Sequence, residues 1–593
     1  MVMKKRGWII ALLIGVLLLS GCGADEYDTT KAQIRSLYGE NEIISGDYDE
    51  SLAATCNNGV FVGLDDRGVI SYKGIPYAEP PVGNLRWKNP VPAKDSETIY
   101  QAYYYGYSPV QTEWPSEEGS YYPQSEDCLT LNVWSNANGP AAGKTVMVFF
   151  HGGSYGWGGV SDPIYDGHNL IKKYPDVILV TVEYRLGILG FIDFSSVPGG
   201  EEYSTSGNLG LLDQVCALQW IKKNISAFGG NPDNITIFGE SAGAGSVSLI
   251  PLIKEADGLY KRIIAESGAV NLTYSKEECQ NLTKLLLEKS GCATMDELTA
   301  LSEEELMALN EDLNDYNNFP ERDGVVLPED LYGAYEKGEA AKADMLIGTN
   351  ADEVRYWIDE MGYYVSGIPG MSLYRHIFPV IYENNRKLMT GEEKQCADDF
   401  LALQSGQKIW KLTELYNELL FRVPSLKQAE LYAGSGNTVY NYYWTMPGED
   451  ETIGACHAIE LIYVFNNPQV SIYNGSVYNR ELADTVQDMW VNFARTGNPG
   501  TETITWQPYN AQTRMTMVLG EDIRMESGLK DEQRKLVEPL LWHYFNGCYS
   551  QLDLMVPHTF RIGGQILAAV ALVAAASVCF VLLLKRKGRK TSK

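Results

Sequence analysis

Residues 238–243 read F-G-E-S-A-G and contain a G-x-S-x-G pattern centred on Ser241. A short apolar run at 235–238 precedes Ser241, and small residues at 242–246 follow it. This order predicts a strand, a sharp turn and a helix, with the serine hydroxyl at the tip of the turn, where a substrate carbonyl can reach it. Glycine on both sides permits so sharp a turn. The pattern therefore indicates a nucleophilic serine.

Several continuous apolar runs are bounded by turn residues, as is typical of strands buried on both faces of a parallel sheet. These runs are residues 145–150, 177–182, 235–238 and 345–347. Helical stretches at 211–228 and 276–289 lie between some of them. Alternating strands and helices predict the α/β class, with a central, mostly parallel sheet flanked by helices.

Two further segments have weaker patterns. Residues 60–62 and 69–72 favour an opening hairpin, and residues 97–125, rich in Tyr, Pro and Ser, favour a long surface loop. No internal repeat and no second apolar core is evident in the sequence. We therefore interpret residues 52–550 as one domain with long insertions.

The N-terminal end of the chain indicates export. Basic residues at 4–6, an apolar run up to residue 19 and small residues before Cys22 predict a signal peptide over residues 1–21. The sequence L-S-G-C at 19–22 resembles a bacterial lipobox, which would leave a lipidated Cys22 as the first mature residue. The alternative is ordinary cleavage nearby, with Cys22 incidental. The polar, acidic stretch 22–51 then predicts a linker.

The C-terminal end indicates membrane attachment. Residues 562–584 are apolar enough and numerous enough to span a bilayer, and the basic residues at 585–593 favour a cytoplasmic tail. The alternative is a helix buried in the core. Both ends together predict a domain outside a bacterial cell membrane and tethered to it.

The charge of the chain limits its possible binding partners, and its cysteines bear on disulfides and metal sites. The formal net charge of −28 disfavours binding to nucleic acid and to anionic lipid headgroups. Of the ten cysteines, Cys22 and Cys579 lie in the predicted membrane attachments. The other eight are expected outside the cytoplasm, where disulfides can form, but their spacing does not specify the pairing. No C-x-x-C motif or Cys/His cluster suggests a metal site, so we expect neither a metal nor a cofactor.

A serine nucleophile needs a base, and that base needs an acid to orient it. Three histidines follow Ser241 and an acidic candidate at sufficient distance. They are His457, His543 and His558. His457 follows a predicted strand and a loop, which is where a base is expected. Asp352 and Glu353 follow the strand at 345–348, and either carboxylate has suitable chemistry for the acid.

Several motifs in order resemble those of the type-B carboxylesterases, the family of the cholinesterases and the para-nitrobenzyl esterases. They are G-I-P-Y-A-E-P-P-V-G at 74–83, E-D-C-L-T-L-N-V at 126–133, G-N-L-G-L-L-D-Q at 207–214, F-G-G-N-P at 228–232, G-x-N-x-D-E at 348–353 and G-x-x-H-x-x-E-L at 454–461. The resemblance covers about residues 56–548. It implies an α/β-hydrolase fold and a triad of Ser241, Glu353 and His457, with Glu353 rather than Asp352 as the acid.

The same resemblance implies an oxyanion hole made by the backbone N–H groups of Gly153, Ser154 and Ala242. The loop H-G-G-S at 151–154 carries two of these groups. Ser154 stands where the family usually has glycine, and we expect His151 to be structural.

Other family positions imply supporting roles. Glu240 and Ser267 are expected beside the histidine and the acid. Tyr356 and Trp357 are expected to line the substrate pocket or, alternatively, to pack in the core. The remaining matches are two buried ion pairs, Arg86 with Glu126 and Arg185 with Asp213. Cys128 has no upstream partner within residues 97–125, so it pairs with Cys56 or with nothing.

These features together predict hydrolysis of a small-molecule carboxylic ester through an acyl-enzyme intermediate. A related chemistry on another substrate, as in a lipase, a thioesterase or a glycan deacetylase, is a second possibility. A binding or adhesion module of cholinesterase-like fold with weak catalysis is a third. The sequence specifies neither the acyl and alcohol groups nor the oligomeric state.

Overall fold

The computed structural model describes residues 36–111, 123–139, 141–313, 318–357, 374–448, 453–468 and 478–543. The strands are β1 (Ala53–Cys56), β2 (Gly59–Val62), β3 (Leu64–Asp66), β4 (Val69–Pro76), β5 (Ile99–Gln101), β6 (Thr130–Asn136), β7 (Lys144–Phe150), β8 (Val177–Val182), β9 (Gly230–Glu240), β10 (Arg262–Glu266), β11 (Tyr274–Ser275), β12 (Glu321–Arg322), β13 (Asp344–Asn350), β14 (Val439–Trp444), β15 (Met515–Leu519) and β16 (Arg524–Ser527).

Helices connect these strands on both sides of the sheet. The α-helices are α1 (His168–Lys173), α2 (Gly187–Gly190), α3 (Leu209–Asn224), α4 (Ala242–Leu249), α5 (Lys276–Ser290), α6 (Met295–Thr299), α7 (Glu303–Asp312), α8 (Leu331–Lys337), α9 (Tyr374–Leu388), α10 (Gly391–Leu403), α11 (Lys408–Asn417), α12 (Val423–Gly434), α13 (Leu461–Phe465), α14 (Arg480–Thr496) and α15 (Asp531–His543). A π-helical turn, Glu418–Arg422, joins α11 to α12.

The central sheet has eleven strands within the described residues, in the order β16-β15-β14-β13-β10-β9-β7-β8-β6-β4-β3. Every neighbouring pair from β15 to β8 is parallel, and the pairs at both ends are antiparallel. All residues of β7 and β8 are buried, because helices cover both faces of the sheet. The predicted α/β class with a mostly parallel sheet is confirmed.

Two sequence interpretations were wrong. Residues 60–62 and 69–72 do not form one hairpin: β2 pairs with β1 and β5 in a separate small sheet, whereas β4 pairs with β3 and β6. The described part of 97–125 is not a surface loop, because it contains β5 and buried side chains such as Tyr105 and Val110. The polar Tyr and Ser residues of this segment led the sequence analysis to expect exposure. Some of their hydroxyls are instead buried and satisfied by internal hydrogen bonds.

Residues 36–48, which we call the N-terminal strap, lie against the domain. The carbonyls of Leu37 and Glu42 accept hydrogen bonds from the N–H groups of Tyr105 and Gln101, at 3.2 and 2.9 Å. The N–H of Ile44 donates to the carbonyl of residue 99 at 2.9 Å. The linker expected at 22–51 therefore does not extend through these residues.

The sequence features expected at the two ends, including Cys22 and residues 562–593, lie outside the described residues. Across the segments that the structure describes, none of the helices has the length and apolar character needed to cross a membrane. Cys56 and Cys128 are both buried free thiols, so they are not joined to each other.

Candidate active site

Ser241 occupies the single residue between β9 and α4, and its backbone has φ 56° and ψ −118°. A side chain other than glycine is strained in this region of backbone space, and such strain is typical of functional turns. A Cβ on Gly243 would lie 1.9 Å from the carbonyl oxygen of Phe150, and one on Gly239 would lie 2.6 Å from the same oxygen. Only glycine therefore fits on either side of the serine.

Neighbouring strands fix the serine turn. The N–H of Ser241 donates to the carbonyl of Glu266 at the end of β10, at 2.8 Å. Its own carbonyl accepts from the N–H of Gly245 in α4, also at 2.8 Å. The carboxyl ends of parallel strands meet at one edge of a sheet, and binding sites form there. Residues that follow β7, β9, β10 and β13 are therefore brought together.

His457 contacts the predicted acid directly. Its ring Nδ1 lies 2.6 Å from Oε2 of Glu353, and its backbone N–H donates to the backbone carbonyl of Glu353 at 3.3 Å. Oε1 of Glu353 accepts from the N–H of Asn350 at 2.7 Å. We assign the proton of this contact to Nδ1, with the Glu353 oxygen as acceptor, and Nε2 then faces away from Glu353.

The opposite nitrogen of His457 points at the serine turn. Nε2 lies 3.2 Å from Oε1 of Glu240, the residue immediately before Ser241. The imidazole is almost fully buried between the two carboxyl groups of Glu240 and Glu353. The structure thus brings three sequence-predicted site residues into contact or adjacency at one strand edge.

Asp352 has a different set of partners from Glu353. Its carboxylate forms an ion pair with Arg355 at 2.7 Å and accepts from the N–H of Ala455 at 3.0 Å. Side-chain chemistry alone left Asp352 and Glu353 as alternatives for the acid, and their contacts now distinguish the two. Of the other histidines considered as the base, His543 ends α15 and His558 lies outside the described residues.

The H-G-G-S loop lies against the serine. A Cβ on Gly152 would lie 3.1 Å from Cβ of Ser241, and one on Gly153 would lie 2.0 Å from the carbonyl oxygen of Trp157. Gly153 has φ 101° and Ser154 has φ 52°, so Ser154 keeps the left-handed conformation that favours glycine. Ser154 thus adds a side chain where the family usually has glycine, while the backbone at this position keeps a left-handed conformation.

His151 is held behind this loop and does not contact the serine turn in the contacts that the structure gives. Its Nδ1 lies 2.8 Å from the carbonyl oxygen of Gly152, and its Nε2 lies 3.5 Å from Oε2 of Glu183. The ring stacks on Tyr184 at a centroid distance of 4.6 Å. These contacts fit the structural role expected from the sequence.

A second buried carboxyl group lies behind Glu353. Ser267 donates from Oγ to Oε1 of Glu460 at 3.4 Å, and Nδ2 of Asn350 contacts Oε2 of the same residue. Burial and the charge of Glu353 raise the pKa of Glu460 to about 8. Ser267, which was expected beside the acid, is therefore connected to it through Glu460. No role was predicted for Glu460 from the sequence, although this residue lies within the histidine motif.

Aromatic rings surround the imidazole. Trp357 and Phe421 lie 5.0 and 4.8 Å from the His457 ring, centroid to centroid, and Tyr356 lies at 6.2 Å. Trp357 stacks on Phe421 at 5.9 Å and is half-buried, whereas Tyr356 is buried. Both aromatic residues singled out in the sequence are thus near the histidine, and Trp357 is the more exposed of the two.

Sequence reasoning did not find Phe421. It belongs to the π-helical turn Glu418–Arg422, and Pro424 lies two residues after that turn. Single π-helical turns occur often at functional sites because they shift side chains relative to a regular helix. The only available sequence signal was Pro424 inside an otherwise helical stretch.

The two ion pairs expected as scaffold are present. Arg86 contacts Glu126 through two nitrogens at 2.6 and 2.7 Å, and Arg185 contacts Asp213 at 2.6 and 2.8 Å. All four side chains are buried. Bidentate pairs of this kind hold loops in a fixed geometry.

The sequence model of the carboxylesterase family matches residues 52–537. The chain belongs to the carboxylesterase family. This carboxylesterase is 34% identical over 514 residues to the para-nitrobenzyl esterase of Bacillus subtilis, covering 82% of this chain and 98% of that protein. It is 32% identical over 480 residues to the cholinesterase of Mus musculus, covering 73% and 76% of the two chains.

A solved structure supports the same assignment. The carboxylesterase of Geobacillus stearothermophilus matches with a TM-score of 0.71 and 31% sequence identity, over 82% of this chain and 99% of that one. The type-B carboxylesterase resemblance and the α/β-hydrolase fold are confirmed, and the chain is a carboxylic ester hydrolase.

Proposed function

We propose that this carboxylesterase hydrolyses small-molecule esters with Ser241 as nucleophile, His457 as base and Glu353 as the acid that orients it. The observation that carries the proposal is the 2.6 Å contact between Nδ1 of His457 and the Glu353 carboxylate, while Nε2 of the same ring contacts Glu240, the residue before the strained Ser241. Nucleophile, base and orienting acid are the three parts that acyl transfer by a serine requires.

The reaction follows from this arrangement. Oγ of Ser241 attacks the ester carbonyl while Nε2 of His457 takes its proton, and Glu353 stabilises the resulting imidazolium. The imidazolium then gives its proton to the departing alcohol, which leaves an acyl-Ser241 ester. A water molecule that loses a proton to His457 attacks the acyl group, and the carboxylic acid is released as Ser241 regains its proton.

The negative charge on the carbonyl oxygen needs fixed donors. We assign these to the N–H groups of Gly153, Ser154 and Ala242, because the glycine loop contacts Ser241 and α4 begins at Ala242. Glu240 and Ser267 act as positioning residues through His457 and Glu460. The aromatic side chains that line the proposed substrate pocket are Tyr356, Trp357 and Phe421.

The experiment is hydrolysis of p-nitrophenyl esters of increasing acyl length by the full chain, beside Ser241→Ala. We expect turnover that disappears in the variant, and labelling of the parent enzyme but not the variant by an organophosphonate probe. Preference for short or long acyl groups distinguishes an esterase from a lipase. A folded enzyme that neither turns over nor reacts with the probe would instead favour the binding module.

We also propose that the domain is displayed outside a bacterial membrane, held by a lipidated Cys22 and by residues 562–584. The support is the order of basic, apolar and small residues before Cys22 and the apolar run followed by basic residues at 585–593. Metabolic labelling with a fatty acid tests the first attachment, with Cys22→Ser as control. External protease added to intact cells tests the display, which predicts cleavage of the domain.

A further inference from the structure

The N-terminal strap precedes the part of the chain that the family model matches, which begins at residue 52. It is nevertheless anchored by side-chain hydrogen bonds. Nδ2 of Asn41 donates to the carbonyls of Lys73 and Tyr104 at 3.1 and 3.0 Å. Its Oδ1 accepts from the N–H groups of Tyr103 and Tyr104, each at 3.0 Å. An asparagine that uses both ends of its amide in this way fixes the strap in one register.

Tyr38 carries the strap into the interior. Its hydroxyl lies 2.6 Å from Oγ of Ser161 and 3.3 Å from Oγ of Ser108, and its ring packs against Tyr105 at 6.3 Å. Burial, together with the charge of Glu183, raises the pKa of Tyr38, so the hydroxyl keeps its proton.

The direction of these hydrogen bonds follows from Glu183. Oγ of Ser108 donates to Oε1 of Glu183 at 3.1 Å, because a carboxylate only accepts. The proton of Ser108 is therefore committed, so Tyr38 donates to Ser108 and accepts from Ser161. One hydroxyl on the strap thus satisfies two buried serines.

Glu183 continues this connection to the glycine loop. Its Oε1 also accepts from the N–H of Val160 at 3.0 Å, and its Oε2 lies 3.5 Å from Nε2 of His151. His151 contacts the carbonyl of Gly152 through its other nitrogen. A Cβ on Gly158 would lie 2.8 Å from Nδ1 of His151, so the start and the end of loop 151–161 are packed together.

We propose that Tyr38 is a positioning residue for the oxyanion loop, acting through Ser108, Ser161 and Glu183 on the backbone at Gly152 and Gly153. The inference rests on the proposed function, which places the oxyanion donors on this loop. It gives the strap a part in ester hydrolysis, although none of its residues contacts Ser241 or His457 in the contacts that the structure gives.

The test is Tyr38→Phe in the full chain, assayed with a p-nitrophenyl ester. Removing one hydrogen-bonding hydroxyl should lower kcat about 2- to 10-fold, with KM within about twofold, because the loop binds charge that develops only in the transition state. A trifluoromethyl ketone, whose adduct with serine places an oxyanion in the hole, should lose affinity by the same factor. The matched control is Tyr107→Phe, because Tyr107 is 51% exposed.

Ser161→Ala and the double variant with Tyr38→Phe extend the test. If the two residues act through one bond, the double variant loses no more kcat than the larger single loss. An unchanged kcat and inhibitor affinity in Tyr38→Phe, or an equal loss in Tyr107→Phe, would overturn the inference. Ser241→Ala, assayed in parallel, distinguishes a failure of this inference from a failure of the proposed function. Activity that survives in Ser241→Ala would contradict the proposed function itself.

Discussion

Asn417 holds the backbone on both sides of Glu353. The N–H of Val354 donates to Oδ1 of Asn417 at 2.8 Å, and Nδ2 of Asn417 donates to the carbonyl of Ala351 at 3.1 Å. The next residue, Glu418, begins the π-helical turn that carries Phe421. One amide side chain therefore connects the loop of the acid to the turn that supplies an aromatic ring beside the histidine.

Asn417→Ala should weaken both folding and catalysis. The substitution leaves the buried N–H of Val354 without its acceptor, which should lower the free energy of unfolding by about 1–3 kcal/mol. It should also lower kcat, because Glu353 is less firmly placed. Urea unfolding and ester turnover measure the two effects. The control is Asn281→Ala on the exposed face of α5, and a similar loss there would contradict the prediction.

The two adjacent acids should respond differently to neutral substitution. Glu353→Gln keeps the size of the side chain but removes the charge that, in the proposed triad, orients the imidazole, so kcat should fall about 10³- to 10⁴-fold. Asp352→Asn removes the charge that pairs with Arg355 but keeps one amide oxygen for the N–H of Ala455, so it should lower kcat less than about tenfold. Steady-state kinetics of both variants provide the measurement. A greater loss in Asp352→Asn would reverse the assignment of the acid.

Glu460 should make stability depend on pH. Its pKa rises from 4.5 in the unfolded chain to about 8 in the folded protein, through burial and the charge of Glu353. The folded protein thus binds a proton that the unfolded chain releases, and ∂ΔG/∂pH is negative between these values. The contribution is complete below pH 4.5 and is lost as the pH rises to about 8.

Glu460→Gln removes this titration. Between about pH 5 and about pH 9, the melting temperature of the parent enzyme should therefore fall more steeply than that of the variant. Differential scanning calorimetry at several pH values provides the comparison. Ser267→Ala, which removes only a neutral donor to Glu460, serves as the control. Parallel curves for parent and Glu460→Gln would show that the carboxyl is ionised in the folded protein.

Ser154 should tolerate glycine and reject valine. At φ 52°, an L-residue is less stable than glycine by about 1–2 kcal/mol, so Ser154→Gly should leave the melting temperature unchanged or higher. Ester turnover should stay within about threefold, since the N–H remains. Ser154→Val places a β-branched side chain in the same conformation and should reduce both quantities. Equal stability of the two variants would show that the loop relaxes.

The local parts of the site were predictable from sequence. The turn at Ser241 and the loop at 151–154 are encoded by residues adjacent in the chain, because a glycine is required wherever a Cβ would meet backbone. The predicted strand ends then placed Glu353 near the same edge of the sheet. The choice between Asp352 and Glu353 needed the family motif, because chemistry alone does not distinguish the two.

The missing parts depend on distant contacts. Phe421 approaches His457 because the π-helical turn rotates it, and Tyr38 reaches Ser161 across 123 positions of sequence. Neither contact leaves a periodic or local pattern. The burial of Tyr105, Ser108 and Val110 was also missed, because strand β5 is short and its neighbours are polar.

The pairing of β10 with β13 joins two segments of the site that lie far apart in the sequence. Arg262–Glu266 aligns with Asp344–Gly348, and the base arrives only with residue 457. Contacts this far apart in sequence form late, because a long loop must close first. A chain emerging from the ribosome therefore contains Ser241, the proposed nucleophile, long before Glu353 and His457 are joined. Premature termination between residues 241 and 457 gives a fragment that has Ser241 but lacks His457, and on the proposed mechanism such a fragment cannot activate its serine.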